Sequence, residues 1–153
     1  MNQRKFYPVN ISAPNLLSIC VDGMENDEIQ GRIYHYYGEE PVRFESVLQM
    51  VRIMDRIYDT LVFPQSSTES RSFSKKRVVT AGAGNRGTKK EKQVSADSPL
   101  SQTGEIGTFV TNVKFRQCTT WQGEFFWKEK ESNIFFNSTM EFVRRLNQAL
   151  VSL

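Results

Sequence analysis

Apolar and polar residues alternate from residue 17, with Leu17, Ile19 and Val21 on one side and Ser18, Cys20 and Asp22 on the other. Alternation with a period of two predicts a half-buried strand. A second run sets Ile29, Gly31, Ile33 and His35 on one face, and a short third strand, Val42-Arg43-Phe44, follows. The period then lengthens: Val47, Val51, Met54, Tyr58 and Leu61 form one stripe of a helix. Near the C-terminus the succession recurs. Phe109, Thr111, Val113 and Phe115 share one strand face, and Trp121, Gly123, Phe125 and Trp127 share the next. Ile134-Phe135-Phe136 is the third strand, and Met140, Val143, Leu146 and Leu150 are the helical stripe.

The recurrence holds without a gap at an offset of 92 residues, where residues 30–58 lie over residues 122–150. Seven of these 29 positions are identical: Gln30/Gln122, Gly31/Gly123, Glu39/Glu131, Phe44/Phe136, Ser46/Ser138, Val51/Val143 and Arg52/Arg144. The matches fall where structure is most demanding. Ser46 with Gln49 and Ser138 with Glu141 both fit the capping box that starts a helix. Each half therefore reads as a β-β-β-α unit of about 45 residues, too small to bury both its sheet and its helix alone. The predicted fold is α+β: two tandem β-β-β-α repeats, 14–63 and 106–153, forming a pseudo-two-fold domain joined by a long flexible linker, 64–105. Gly31 and Gly123 sit on the helix-covered face. There the missing side chain lets the helix backbone or a large neighbour approach the sheet, or marks a bulge. That contact offsets the roughly 0.5–1 kcal/mol a glycine costs relative to alanine.

Charge changes the picture only in the middle. Residues 64–105 hold eight of the 20 basic residues and four of the 17 acidic ones, so the net charge of +3 belongs to this segment and the flanking units are near neutral. The segment is rich in Ser, Gly and Lys and reads as a disordered tether. Its cations Lys75, Lys76, Arg77, Arg86, Lys89, Lys90 and Lys92 are candidates for weak phosphate contacts. A literal G-x-G-x-x-G at 82–87 lacks the buried strand, the packed helix and the later acidic residue of a dinucleotide site, so a flexible loop is the better reading.

No catalytic, metal or cofactor motif stands out. The one histidine, His35, matches Trp127 in the repeat and reads as a packed structural residue. Cys20 and Cys118 read as strand thiols rather than a redox pair and point to a reducing cytoplasm. Asp22, Glu25, Asp27 and Glu28 cluster at a hairpin turn without the spacing of a calcium loop. No apolar run reaches the roughly 20 residues that span a bilayer, and the N-terminus lacks the apolar core of a secretory signal.

The face opposite the helices is the candidate site. It sets out Arg32, Tyr34 and Tyr36 from the first half and Lys114, Arg116, Phe126 and Lys128 from the second, an aromatic and basic composition suited to a binding platform. The pattern Trp121-Gln122-Gly123-x-x-x-Trp127, followed by Phe136-x-Ser138 and an apolar helix, resembles short proteins of Gram-positive bacteria such as Clostridia. The resemblance runs over Trp121–Leu153 and more loosely over 29–62; it implies the repeat unit and a bacterial origin, and carries no activity. The reading is a non-catalytic cytoplasmic binding or regulatory protein whose partner is a macromolecule, protein before nucleic acid. The alternatives are an inhibitor carried by a phage or mobile element, a nucleic-acid-binding protein, and an enzyme with its site at the repeat interface. The sequence does not fix the oligomeric state.

Overall fold

The computed structural model describes residues 7–64, 66–67, 92, 94–95 and 97–152. In chain order the elements are β1 (Leu17–Glu25), β2 (Glu28–Tyr34), β3 (Val42–Phe44), α1 (Val47–Leu61), β4 (Ser66–Ser67), α2 (Asp97–Leu100), β5 (Gly107–Gln117), β6 (Gln122–Trp127), β7 (Ser132–Phe136) and α3 (Thr139–Val151). Six strands form one antiparallel sheet in the order β3-β2-β1-β5-β6-β7, and β4 adds parallel to β5. The class is α+β. Among the described residues no helix is long and apolar enough to cross a membrane.

Both outer hairpins close with two left-handed residues, Asn26 and Asp27 (φ 52° and 63°) after β1, Cys118 and Thr119 (φ 55° and 60°) after β5. That conformation matches the twist of a tight hairpin. Cys118 is thus an exposed turn residue rather than a strand thiol, whereas Cys20 is fully buried. The central ladder joins β1 to β5, Leu17 opposite Thr111 through Val21 opposite Gly107.

Each long strand then carries an irregularity, between Val21 and Gly23 in β1 and between Val113 and Phe115 in β5. The carbonyls there are satisfied from distant segments of the same chain: Ile106 N donates to Val21 O (2.9 Å), and Asn15 Nδ2 donates to Val113 O (2.6 Å). The extra residue in β5 reverses the alternation beyond it. Phe115, expected under the helices, therefore turns out to solvent, and Arg116 turns in.

A bulge, one of the expected causes, lies beside each strand glycine. A Cβ at Gly31 would collide with the carbonyl oxygen of Cys20, and one at Gly123 with that of Asn112. The close approach is by the backbone of the adjacent strand rather than by a covering helix.

α1 and α3 lie on one face. Ser46 Oγ accepts from Gln49 N (3.1 Å) and Ser138 Oγ from Glu141 N (3.0 Å). The return bonds reach one residue further than a standard box, from Glu45 N to Gln49 Oε1 (2.7 Å) and from Asn137 N to Glu141 Oε2 (3.2 Å). The buried stripe of α1 is Met50, Met54 and Tyr58. In α3 it is Phe142, Leu146, Ala149 and Leu150. Met140, expected in the stripe, is 76% exposed, because it stands about 200° around the helix from Phe142. Trp121 ties the two helices to the sheet. Its ring meets Tyr58 of α1 edge-on at 5.6 Å and Phe142 of α3 at 5.7 Å, and its Nε1 donates to Asp55 Oδ1 (3.0 Å).

Gly31→Ala and Gly123→Ala are each expected to lower stability by about 1–3 kcal/mol, the range for overpacking a tight site. Gly23→Ala, whose Cβ would meet nothing within 4 Å, should melt like the parent. Thermal melts of the three variants decide the point; equal melting would show that the glycine sites yield without cost.

Candidate binding surface

The sheet face opposite the helices is covered at its centre, which corrects the expectation of an open platform. Val9, Leu16, Tyr36, Leu100, Val110 and Phe126 form a second apolar cluster there, with Tyr7, Ile11, Tyr37 and Val94 packed against it. The cover comes from the segment before β1 and from the described residues around α2. Residues 94–105, expected in the tether, thus lie on the sheet where they are described, since Val94 and Leu100 supply apolar anchors. Lys75, Lys76, Arg77, Arg86, Lys89, Lys90 and the 82–87 loop lie outside the described residues.

Several of the seven candidate residues are occupied within the chain. Tyr36 is fully buried; its hydroxyl donates to Ile11 O and its carbonyl accepts from Val94 N (3.2 Å). Lys92 Nζ stands 4.5 Å from the centre of the Tyr36 ring and donates to Ser12 O. Phe126, 7% exposed, packs edge-on against Tyr7 at 5.8 Å. Lys128 Nζ donates to the carbonyls of Leu100 (2.5 Å) and Gln102 (3.3 Å). Arg116, 5% exposed because of the bulge, donates from Nε to Pro64 O (2.7 Å) and from Nη1 to Asp59 Oδ1 (2.7 Å). Asp55 lies 3.7 Å from the same nitrogen, and the guanidinium stacks over Tyr58. Arg116 therefore anchors α1 to β5.

Arg32 forms a two-pronged pair with Asp22, Nε to Oδ2 at 2.8 Å and Nη2 to Oδ1 at 3.1 Å. It also donates to the Tyr34 hydroxyl (2.7 Å) and to Thr103 O (3.0 Å), while Glu105 N donates to Asp22 Oδ1 (3.2 Å). Partial burial works to raise the Asp22 carboxyl, but the bonds from Arg32 and Glu105 prevail and hold it below the usual range. At the other bulge the polarity is reversed: Lys114 pairs with Glu124 (3.3 Å), and Asn133 Nδ2 donates to Glu124 Oε2 (2.9 Å).

What stays open is the β5–β7 end of this face. Phe115 is 55% exposed and Phe135 62%. The register sets Phe115 opposite Gln122 and Phe135 opposite Glu124, two residues apart on β6, with half-exposed Lys114 beside them. β7 is also the last strand of the sheet. Neither phenylalanine was singled out from the sequence. Phe135 was findable, because of two consecutive phenylalanines in a strand one must face away from the core. Phe115 was not, because the bulge that turns it has no signature in residue type.

His35 is half-buried where β2 ends; its Nδ1 accepts from Tyr37 N (3.0 Å) and its ring stacks on Tyr37. In the acidic turn, Asp22 is committed to Arg32, and Glu28 accepts from Val47 N at the start of α1. Among the described residues no cluster of three or more His, Cys, Asp or Glu is placed to hold a metal. No family model matches this chain, and neither a curated protein nor a solved structure is similar to it.

Asp22→Asn is expected to cost about 1 kcal/mol at neutral pH, the scale of a partly exposed charged hydrogen-bonded pair. The sign with pH follows from the lowered carboxyl. The pair's contribution is complete above the unfolded value of about 3.9 and is lost as pH falls through the lower folded value. Denaturant titrations between neutral pH and about pH 2 should therefore show the parent and variant converging in acid.

Proposed function

We propose that this chain is a non-catalytic binding or regulatory protein whose partner is another polypeptide, received at the β5–β7 end of the sheet. The observation that carries the reading is the pair of exposed phenylalanines, Phe115 and Phe135, on one face beside β7, whose outer edge pairs with no strand among the described residues. Aromatic side chains at such positions commonly dominate recognition, and an open strand edge offers backbone groups to an extended segment. A protein partner is favoured over nucleic acid because the cations of this face are committed to internal acceptors: Arg32 and Lys128 to carbonyls of 100–103, Arg116 to Asp59, Lys114 to Glu124. With Phe115→Ser and Phe135→Ser combined, capture of the partner from a nuclease-treated bacterial lysate should fall at least about tenfold while the melting temperature barely moves. Capture that survives the double change would move the contact away from the β5–β7 end; capture that vanishes on nuclease treatment and between about 50 and 200 mM salt would move the partner to nucleic acid.

We also propose that residues 14–63 and 106–153 are tandem copies of one β-β-β-α unit related by a pseudo-two-fold axis. In support, the central ladder pairs Ser18 with Val110, residues 92 apart and so equivalent in the two copies. The bulges at Val21 and Val113, the turns at Asn26 and Cys118 and the caps at Ser46 and Ser138 keep the same offset. Residues 1–67 and 92–153, co-expressed as separate chains, should assemble one-to-one and give a single cooperative melt. Failure to co-purify would mean that the covalent connection, rather than the central ladder, holds the halves together.

A further inference from the structure

The outer face of α1 carries a stripe that the fold uses only through Asp55 and Asp59, which accept from Trp121 and Arg116. Leu48, Arg52, Asp55, Asp59 and Val62 recur at alternating steps of four and three, with Arg56 beside them. Leu48 is 60% exposed and Val62 59%, and Phe63, next in the chain, is 42% exposed. The side chains of Asp55 and Asp59 remain 53% and 68% exposed although both approach Arg116. Arg52 and Arg56 are exposed, and neither forms an ion pair among the described residues.

The order of charges is self-complementary in one orientation. If two copies of α1 run antiparallel with their midpoint between residues 55 and 56, Arg52 comes level with Asp59 of the other copy, and Arg56 with Asp55. Leu48 then comes level with the C-terminal turn, where Val62 and Phe63 are exposed. A parallel pairing in register would instead oppose Arg to Arg and Asp to Asp, which is repulsive. The steps of four and three are those of a seam between two packed helices.

We infer that the protein self-associates as a two-fold dimer through antiparallel pairing of α1 with α1 of a second copy. Leu48, Val62 and Phe63 provide the apolar contact, and the Arg52–Asp59 and Arg56–Asp55 pairs select antiparallel over parallel.

Sedimentation equilibrium of the full chain across a concentration series is the test. The expected result is reversible growth from the 17.7 kDa chain to twice that mass, weakened by added salt. The charge-reversal variant R52D/R56D should raise the dissociation constant at least about tenfold, because each acidic residue would then face another. Leu48→Glu should act in the same direction, and the far-UV spectra of both variants should match the parent. Two results would overturn the inference: a parent that stays at 17.7 kDa at the highest concentration, or a dimer that R52D/R56D and Leu48→Glu leave intact. Loss of the dimer in Phe135→Ser alone would transfer the contact to the β7 edge and likewise overturn it.

Discussion

The antiparallel contact between β1 and β5 is the constraint from which the rest of this molecule follows. Five residue pairs, Leu17–Thr111 to Val21–Gly107, unite two three-stranded sheets into one, and every residue in that ladder is buried. A continuous sheet gives α1 and α3 a common floor, so that Trp121 can touch Tyr58 of one helix and Phe142 of the other. Past the ladder each long strand takes an extra residue, which sharpens its twist and carries it over its outer neighbour. Gly31 and Gly123 are where that approach is closest, and the carbonyl above each leaves no room for a Cβ.

Much of this architecture was legible in residue order because its signals are local. Alternation marked the strands, capping serines marked the helix starts, and the repeated glycine marked a close approach. The errors came from features that act at a distance or carry no compositional mark. A bulge inserts one residue of any type, so Phe115 and Arg116 exchanged sides without notice. The stripe of α3 placed Leu146 and Leu150 in the core but took Met140 in place of Phe142, because the helix is apolar on more than one side and only the position of the sheet selects between them. Tyr7, Val9 and Val94 have no periodicity, and their role as a cover depends wholly on the sheet they meet.

That cover also explains the fate of the cations on the sheet. Arginine and lysine on an apolar face need acceptors, and main-chain carbonyls nearby satisfy them at low cost in side-chain freedom. Arg32 of β2 and Lys128, just past β6, bind the carbonyls of 100–103 from opposite sides of the central ladder, and so clasp that short segment between them. Composition alone described these residues as a surface for others. Their hydrogen bonds describe a surface already in use, with the unoccupied remainder displaced to the β7 side.

The two outer strands of the sheet differ in length. β3 spans three residues, Val42–Phe44, whereas β7 spans five, Ser132–Phe136. A sheet with two long free edges can accept a strand on either side and run on into a fibre. A molecule joined through β7 would present only the three residues of β3 to the next, a poorer template for a further strand. Unequal edges of this kind disfavour open-ended strand addition.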